Sequence, residues 1–143
     1  MTENKTLTEA EKEFARSLVR QIPFVKLLDI ELVDIEPGAA TCRLAVAEKH
    51  TRQAAFLHGG ATASLIDTAM AFAVGALLGS PANAVTADLS VHFLRPVRRE
   101  ATAKARVLRD GKRLLTAQCD VFNEDGEIAA TALATYSRIN LTK

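Results

Sequence analysis

A histidine followed by two glycines, His58-Gly59-Gly60, opens an apolar stretch whose one charged residue is Asp67. Each part could do chemistry. Two glycines at a helix start leave backbone N–H groups uncrowded. With the helix dipole, those groups would hold negative charge developing on an oxygen. The same pair would also suit a tight loop-to-helix turn that needs glycine's backbone freedom. Asp67 is harder to explain as structure alone, because an ionised carboxylate among apolar neighbours costs on the order of several kcal/mol unless it is paired or does work. Thr68 and Ser64 are near enough in sequence to solvate it. Otherwise it is a general base or a nucleophile. His58 could ligate a metal, act as a base or orient another group. The other histidines, His50 and His92, do not stand at metal-ligand spacing from it, so no metal and no cofactor are expected.

His58 and Asp67 are nine residues apart, roughly 13 Å of helix rise, and nine steps of about 100° put their side chains on opposite faces. One substrate carbonyl cannot touch both on the same helix. If a site uses both ends, two copies of the helix must meet antiparallel about a two-fold axis. A symmetric homodimer with two composite sites then follows.

The elements that must position these groups read from periodicity and turns. Residues 7–22 form an amphipathic helix: Thr8 and Glu11 have capping-box spacing, and Phe14, Leu18 and Ile22 recur at helical spacing. Pro23 ends it, and residues 24–28 add one more turn. Residues 30–36 and 39–46 alternate on either side of Pro37-Gly38, a hairpin. Residues 47–57 form a loop, and the long apolar helix follows, ending near Gly79-Ser80-Pro81. Strands are expected at 85–94, 101–109, 114–123 and 127–139, separated by Pro96, Asp110-Gly111 and Glu124-Asp125-Gly126. Strands segregated from one central helix give an α+β fold with an antiparallel sheet. A helix apolar on nearly all faces must be buried on nearly all faces, so the sheet should wrap it and a partner subunit should cover the rest.

The composition is that of one domain. The chain has 143 residues, 48% hydrophobic and 24% charged, with 18 Lys+Arg against 17 Asp+Glu. So even a balance argues against a nucleic-acid partner and against a polybasic membrane-surface protein. Residues 60–78 approach the length of a membrane span. They are mostly small, however, and carry Asp67 near the middle, so a buried helix of a soluble domain is expected rather than a membrane partner. The first residues have no apolar signal-peptide core. Cys42 and Cys119 lie far apart and read as reduced thiols packed as small hydrophobes. Together these point to a cytoplasmic protein.

The stretch from His58 to Ala69, HGGATASLIDTA, resembles the HGG…(L)xDxA signature of hotdog-fold acyl-CoA thioesterases, and is closest to the phenylacetate-pathway (PaaI-type) branch. Residues 85–96, VTADLSVHFLRP, resemble the strand that follows the hotdog helix there. Gly111-Lys112-Arg113 and Asp125-Gly126 fall at that family's two later hairpins. The resemblance spans residues 24–139. It implies a hotdog domain over 24–143, with 1–23 as an added N-terminal helix, paired into dimers and often into tetramers. It further implies an acyl-CoA substrate lying across the dimer interface. In that arrangement the Gly59 N–H holds the thioester oxygen, with His58 helping to orient it. Asp67 of the other subunit activates water or attacks the carbonyl, and Thr86 positions the water or the carboxylate. Gly60 is a candidate for substrate binding. There is one departure: where the branch often has Asn six residues before the His, this chain has Arg52. The neighbouring Gln53 would supply a similar amide if the loop shifts by one residue. The CoA phosphates need cations, and Arg95, Arg98 and Arg99, with Lys112 and Arg113 on the next turn, are the candidates. Phe93 and Leu94 are expected to pack in the sheet. Ala69, Met70, Ala73 and Val74 are small or flexible, which suits close helix–sheet packing and, compatibly, room for an acyl chain, so their size alone does not give chain length.

The expected activity is hydrolysis of acyl-CoA thioesters to acid and CoA. A non-catalytic acyl-CoA binder and a hydroxyacyl-thioester dehydratase are the alternatives on the same fold.

Overall fold

In a computed structural model describing residues 5–139, helix α1 (Glu9–Val19) starts at a capping box. The Glu11 N–H donates to Thr8 Oγ1 at 3.2 Å, and the Thr8 N–H donates to Glu11 Oε2 at 2.8 Å, as the spacing predicts. The apolar stripe that marks the helix in the sequence does not anchor it: Phe14 and Leu18 are 66% and 50% exposed. The face turned inward carries Val19 and Lys12. The Lys12 ammonium lies 2.8 Å from Asp34 and 2.7 Å from Glu36 on strand β1 (Glu31–Glu36), and Arg16 donates to the Val33 carbonyl at 2.8 Å. These polar contacts to the edge of the sheet fix the helix's rotation, so Phe14 and Leu18 face outward, while Ile22, beyond the helix, packs against the core.

Hydrogen bonds from Lys12 hold the Asp34 and Glu36 carboxyls below their ordinary values, and the same bonds raise Lys12. Groups with depressed folded values contribute stability above their unfolded pKa, and lose it as pH falls through the folded value. Acid melts therefore test this cluster. Lys12→Met is expected to lower Tm at neutral pH, where it strands two carboxylates, and the gap from the parent should shrink as pH drops below about 4. A gap that stays constant from pH 7 to pH 3 would remove the ion pairs from the account.

A short helix, α2 (Pro23–Leu28), follows. Strands β1 and β2 (Ala39–Ala45) form the predicted hairpin. Helix α3 (Gly59–Leu78) comes next, then β3 (Ala84–Phe93), β4 (Glu100–Asp110), β5 (Leu114–Phe122) and β6 (Ile128–Arg138). The six strands make one antiparallel sheet in the order β1-β2-β4-β5-β6-β3. The chain leaves β2, crosses along α3 to the far edge, and returns through the meander.

The sheet's inner face is built from small residues. Ala101, Ala103 and Ala105 on β4, Ala117 and Cys119 on β5, and Ala130, Ala132 and Ala134 on β6 are buried. That thin layer lets α3 come close, and α3 supplies the bulk with Leu65, Ile66, Met70 and Phe72. The helix is long and apolar enough to cross a membrane by length and composition, but here it fills the concave side of the sheet. Ala69, Met70, Ala73 and Val74 are fully packed in this core, so close packing, not acyl space, is their role. Helix α3 ends at Gly79, whose φ of 83° is the left-handed cap glycine favours. Gly75 permits the return of the chain, since a Cβ there would lie 2.8 Å from Pro81 backbone atoms.

Burial pushes the Cys42 and Cys119 thiols up to about 12, so both are inert at neutral pH.

One stripe of α3 stays only half-buried: Ala63, Ser64, Asp67, Thr68 and Ala71. Strand β3 lies at an open edge of the sheet and is largely exposed along its ten residues.

Candidate active site

The N-terminus of α3 is set by His58. Its backbone is extended (φ −64°, ψ 135°) and its ring caps the helix, with Nδ1 accepting the Gly60 N–H at 2.8 Å. An accepting Nδ1 places the proton of a neutral ring on Nε2. The Ala61 and Thr62 N–H groups donate to the His58 carbonyl. Of the first four amides of the helix, only that of Gly59 has no acceptor among the described residues. Gly60, a candidate for substrate binding by its sequence position, gives its N–H to His58 instead. The free donor is therefore Gly59, and His58 fixes the turn that presents it.

The Gly59 amide opens on a cleft of about 420 Å³ lined by Arg52, Phe56, Thr62, Phe93, Leu94 and Arg95. Phe93 and Leu94 are 56% and 54% exposed. The backbone here is still paired, Phe93 with Ala130 and the Leu94 N–H with the Ala129 carbonyl, but β3 is an edge strand, so the two side chains line the cleft instead of packing in the sheet as expected. Gln53 is exposed on a 3-10 turn (Gln53–Ala55), and the cleft wall carries Arg52 rather than Gln53. That turn holds Ala54 and Ala55 at positive φ, 67° and 58°, a backbone region that disfavours alanine.

Asp67 lies about 12 Å further along the helix, in a different cleft of about 430 Å³. Ile22, Phe24 and Val25 from the α2 region, Ala63, Ser64, Thr68, Ala71 and Phe72 from α3, and Leu89 from β3 line it. The two clefts share no residue. Ser64 donates to the Gly60 carbonyl, so it does not solvate Asp67. The groups that do are Thr86, whose hydroxyl donates to Asp67 Oδ1 at 2.8 Å, and Tyr136, whose hydroxyl reaches the same oxygen at 2.7 Å. These two are register partners across β3 and β6. The register slips by one between Thr86 and Asp88. That bulge turns Thr86 toward α3 while Leu89 and Val91 still meet the core. Asp67 Oδ2 receives no hydrogen bond among the described residues.

Sequence reading missed Tyr136. A signal was available: it is the chain's only tyrosine, it falls on the inward alternation of β6 after three alanines, and a buried tyrosine hydroxyl needs a partner.

The basic candidates divide. Arg95, Arg98 and Arg99 line a groove of about 380 Å³ beside the β5–β6 turn, together with Glu124, Asp125 and Glu127. Arg95 pairs with Glu127 at 3.4 Å and donates to the Ile128 carbonyl at 2.8 Å. The Arg98 guanidinium lies 4.9 Å from the centre of the Phe56 ring. Lys112 and Arg113 sit on the β4–β5 hairpin, at the opposite end of those strands, roughly 30 Å away. Within one chain they do not form a single cation cluster with Arg95 and Arg98. His50 is buried, its Nδ1 accepting from the Ala47 N–H and its Nε2 donating to the Leu28 carbonyl; it ties the loop to α2.

A long helix wrapped by an antiparallel sheet, with a free amide at its cap and a held carboxylate in mid-helix, defines a hotdog-fold protein. The thioesterase superfamily model matches residues 54–130, and the chain belongs to that family. The medium/long-chain acyl-CoA thioesterase YigI of Salmonella typhimurium is 31% identical over 92% of this chain and 95% of its own length. Among solved structures, a thioesterase of Haemophilus influenzae has a TM-score of 0.84 at 26% identity, covering 100% of this chain and 98% of that one. The PaaI protein of Escherichia coli has a TM-score of 0.80 at 25% identity, covering 90% and 92%. Thioester hydrolysis is the general chemistry these relationships support.

Proposed function

We propose that the protein hydrolyses acyl-CoA thioesters at a site shared by two copies of the chain. The observation that carries this reading is the separation of its two reactive groups. The free amide of Gly59 and the free oxygen of Asp67 open on different clefts of one helix, so one chain cannot bring both to one carbonyl. Two copies packed through the half-buried stripe of α3, and through the open β3 edges, would place the Gly59 amide of one beside the Asp67 of the other. An exposed strand of ten residues is a ready template for such pairing.

In that site the Gly59 N–H donates to the thioester oxygen as negative charge develops on it. Asp67 Oδ2 either takes a proton from the attacking water or attacks the carbonyl itself. The tetrahedral intermediate then expels the CoA thiolate, which leaves as the thiol once protonated; where Asp67 itself has attacked, water then hydrolyses the acyl-aspartyl anhydride, freeing the acid and restoring the carboxylate. Arg95 and Arg98 flank the Gly59 cleft and suit the CoA phosphates. In an antiparallel pair, the Lys112–Arg113 hairpin of the second copy approaches the same end. The names of the relatives, acyl-CoA thioesterases among them, support this substrate class.

A free-thiol assay across short-chain, long-chain and aromatic acyl-CoAs tests the reading, run beside light scattering for oligomeric state. CoA release by a dimer or tetramer supports it. Tight acyl-CoA binding without thiol release, or a monomeric active enzyme, overturns it.

The acyl group is assigned to the apolar cleft beside Asp67, where Phe24 forms part of the wall. Phe24→Ala enlarges that wall by most of an aromatic side chain. The kcat/KM ratio of longer or bulkier acyl-CoAs to short ones is expected to rise by about 10-fold, the scale of a few methylenes in an apolar pocket. An unchanged ratio would move the acyl group elsewhere.

A further inference from the structure

Tyr136 is 2% exposed and sits on the inner face of β6. Its hydroxyl lies 2.7 Å from Asp67 Oδ1 and 3.1 Å from the Asp67 backbone carbonyl. A hydroxyl has one proton to give, and the carboxylate is both nearer and the stronger acceptor. Thr86, opposite Tyr136 across the strands, donates to the same oxygen. The last torsion of an aspartate is broad and roughly two-fold. Two donors converging on Oδ1 select one orientation and leave Oδ2 as the oxygen with open valence, in a residue that lines the acyl cleft. Thr86 is on an exposed strand, where water competes, whereas the Tyr136 ring is clamped beneath α3.

We propose that Tyr136 is a positioning residue of the hydrolytic site: it holds the Asp67 carboxylate by Oδ1 so that Oδ2 is the reacting oxygen. This rests on the reading of Asp67 as the reacting carboxylate. Burial, and then the hydrogen bond to Asp67, push the Tyr136 hydroxyl well above the usual tyrosine range. It therefore stays protonated and donates at every working pH. Around Asp67, β6 contributes Tyr136 as a titratable group, with the buried Cys119 of β5 behind it. The lining from the α2 region, β3 and the turn after α3 is Ile22, Phe24, Val25, Leu89 and Pro81, none of which titrates.

The test uses the full chain in its native oligomer: parent, Tyr136→Phe, Asp67→Asn and the double variant, each assayed for CoA release between pH 5 and pH 9. Tyr136→Phe removes one oxygen and keeps the ring. Its kcat is expected to fall about 10-fold with KM within about two-fold. The double variant should lose no more than Asp67→Asn alone, since Tyr136 acts through that carboxylate. A Tyr136→Phe enzyme with the parent kcat, beside an inactive Asp67→Asn, overturns the positioning role and leaves the hydrolase reading standing. An additive loss in the double variant also overturns it, because a purely packing role would give that result. Should Tyr136→Phe fold poorly, 3-fluorotyrosine supplied in place of the chain's single tyrosine keeps the ring and makes its hydroxyl a stronger donor: a kcat unchanged from the parent then sinks the proposal.

Discussion

Asp67→Asn is expected to lose at least ~100-fold in turnover of acyl-CoA while keeping fold and oligomeric state, the scale by which a positioned acid or base accelerates a reaction. The substitution is nearly isosteric, and the amide oxygen can still accept from Thr86 and Tyr136, whose hydroxyls now meet Oδ1 at 2.8 and 2.7 Å. The local network therefore survives, and what disappears is the basic, nucleophilic oxygen. Melting temperature should change little. A variant that releases CoA at the parent rate across an acyl panel would take Asp67 out of the mechanism. A variant that loses activity only because it unfolds would show the loss in its melt.

Gly59→Pro is expected to reduce kcat about 10²- to 10³-fold, the scale for removing one donor from an oxyanion site. Proline suits this position for physical reasons. It is the first residue of α3, where the N–H bonds to nothing in the helix and a fixed φ near −65° matches helical geometry. The preceding His58 is already extended, as a residue before proline must be. A Cβ at this position meets Phe93 at an ordinary 3.6 Å. The helix is thus kept and one amide proton is removed. Co-expressing Gly59→Pro chains with Asp67→Asn chains then tests the two-chain site. Each homodimer is disabled, but a mixed dimer has one site carrying both defects and one carrying neither. Random pairing should restore about a quarter of parental activity. No recovery from the mixture would place both reactive groups in one chain.

Much of the architecture was legible in the sequence because periodicity and turn chemistry report local geometry directly. Thr8 and Glu11 mark the first cap, Pro37-Gly38 marks the hairpin, and an apolar run interrupted only by Asp67 marks a helix that must be covered. His58 and the glycines lie at the start of that helix, as their types suggest. What the sequence could not carry were facts decided by which strands meet. Tyr136 reaches Asp67 across 69 residues, through a register and a one-residue bulge in β3 that no local pattern encodes. Arg98 and Arg113 are 15 residues apart in the chain yet at opposite ends of the sheet, because extended strands lengthen a short sequence interval into distance. The N-terminal helix turned Phe14 and Leu18 outward because Lys12 found two carboxylates on β1. Element identity and the reactive residue types are local properties, set by the chain's own spacing. Which oxygen is tethered, which amide is free and which cleft each faces are properties of the assembled sheet, since they depend on contacts between residues the sequence keeps far apart.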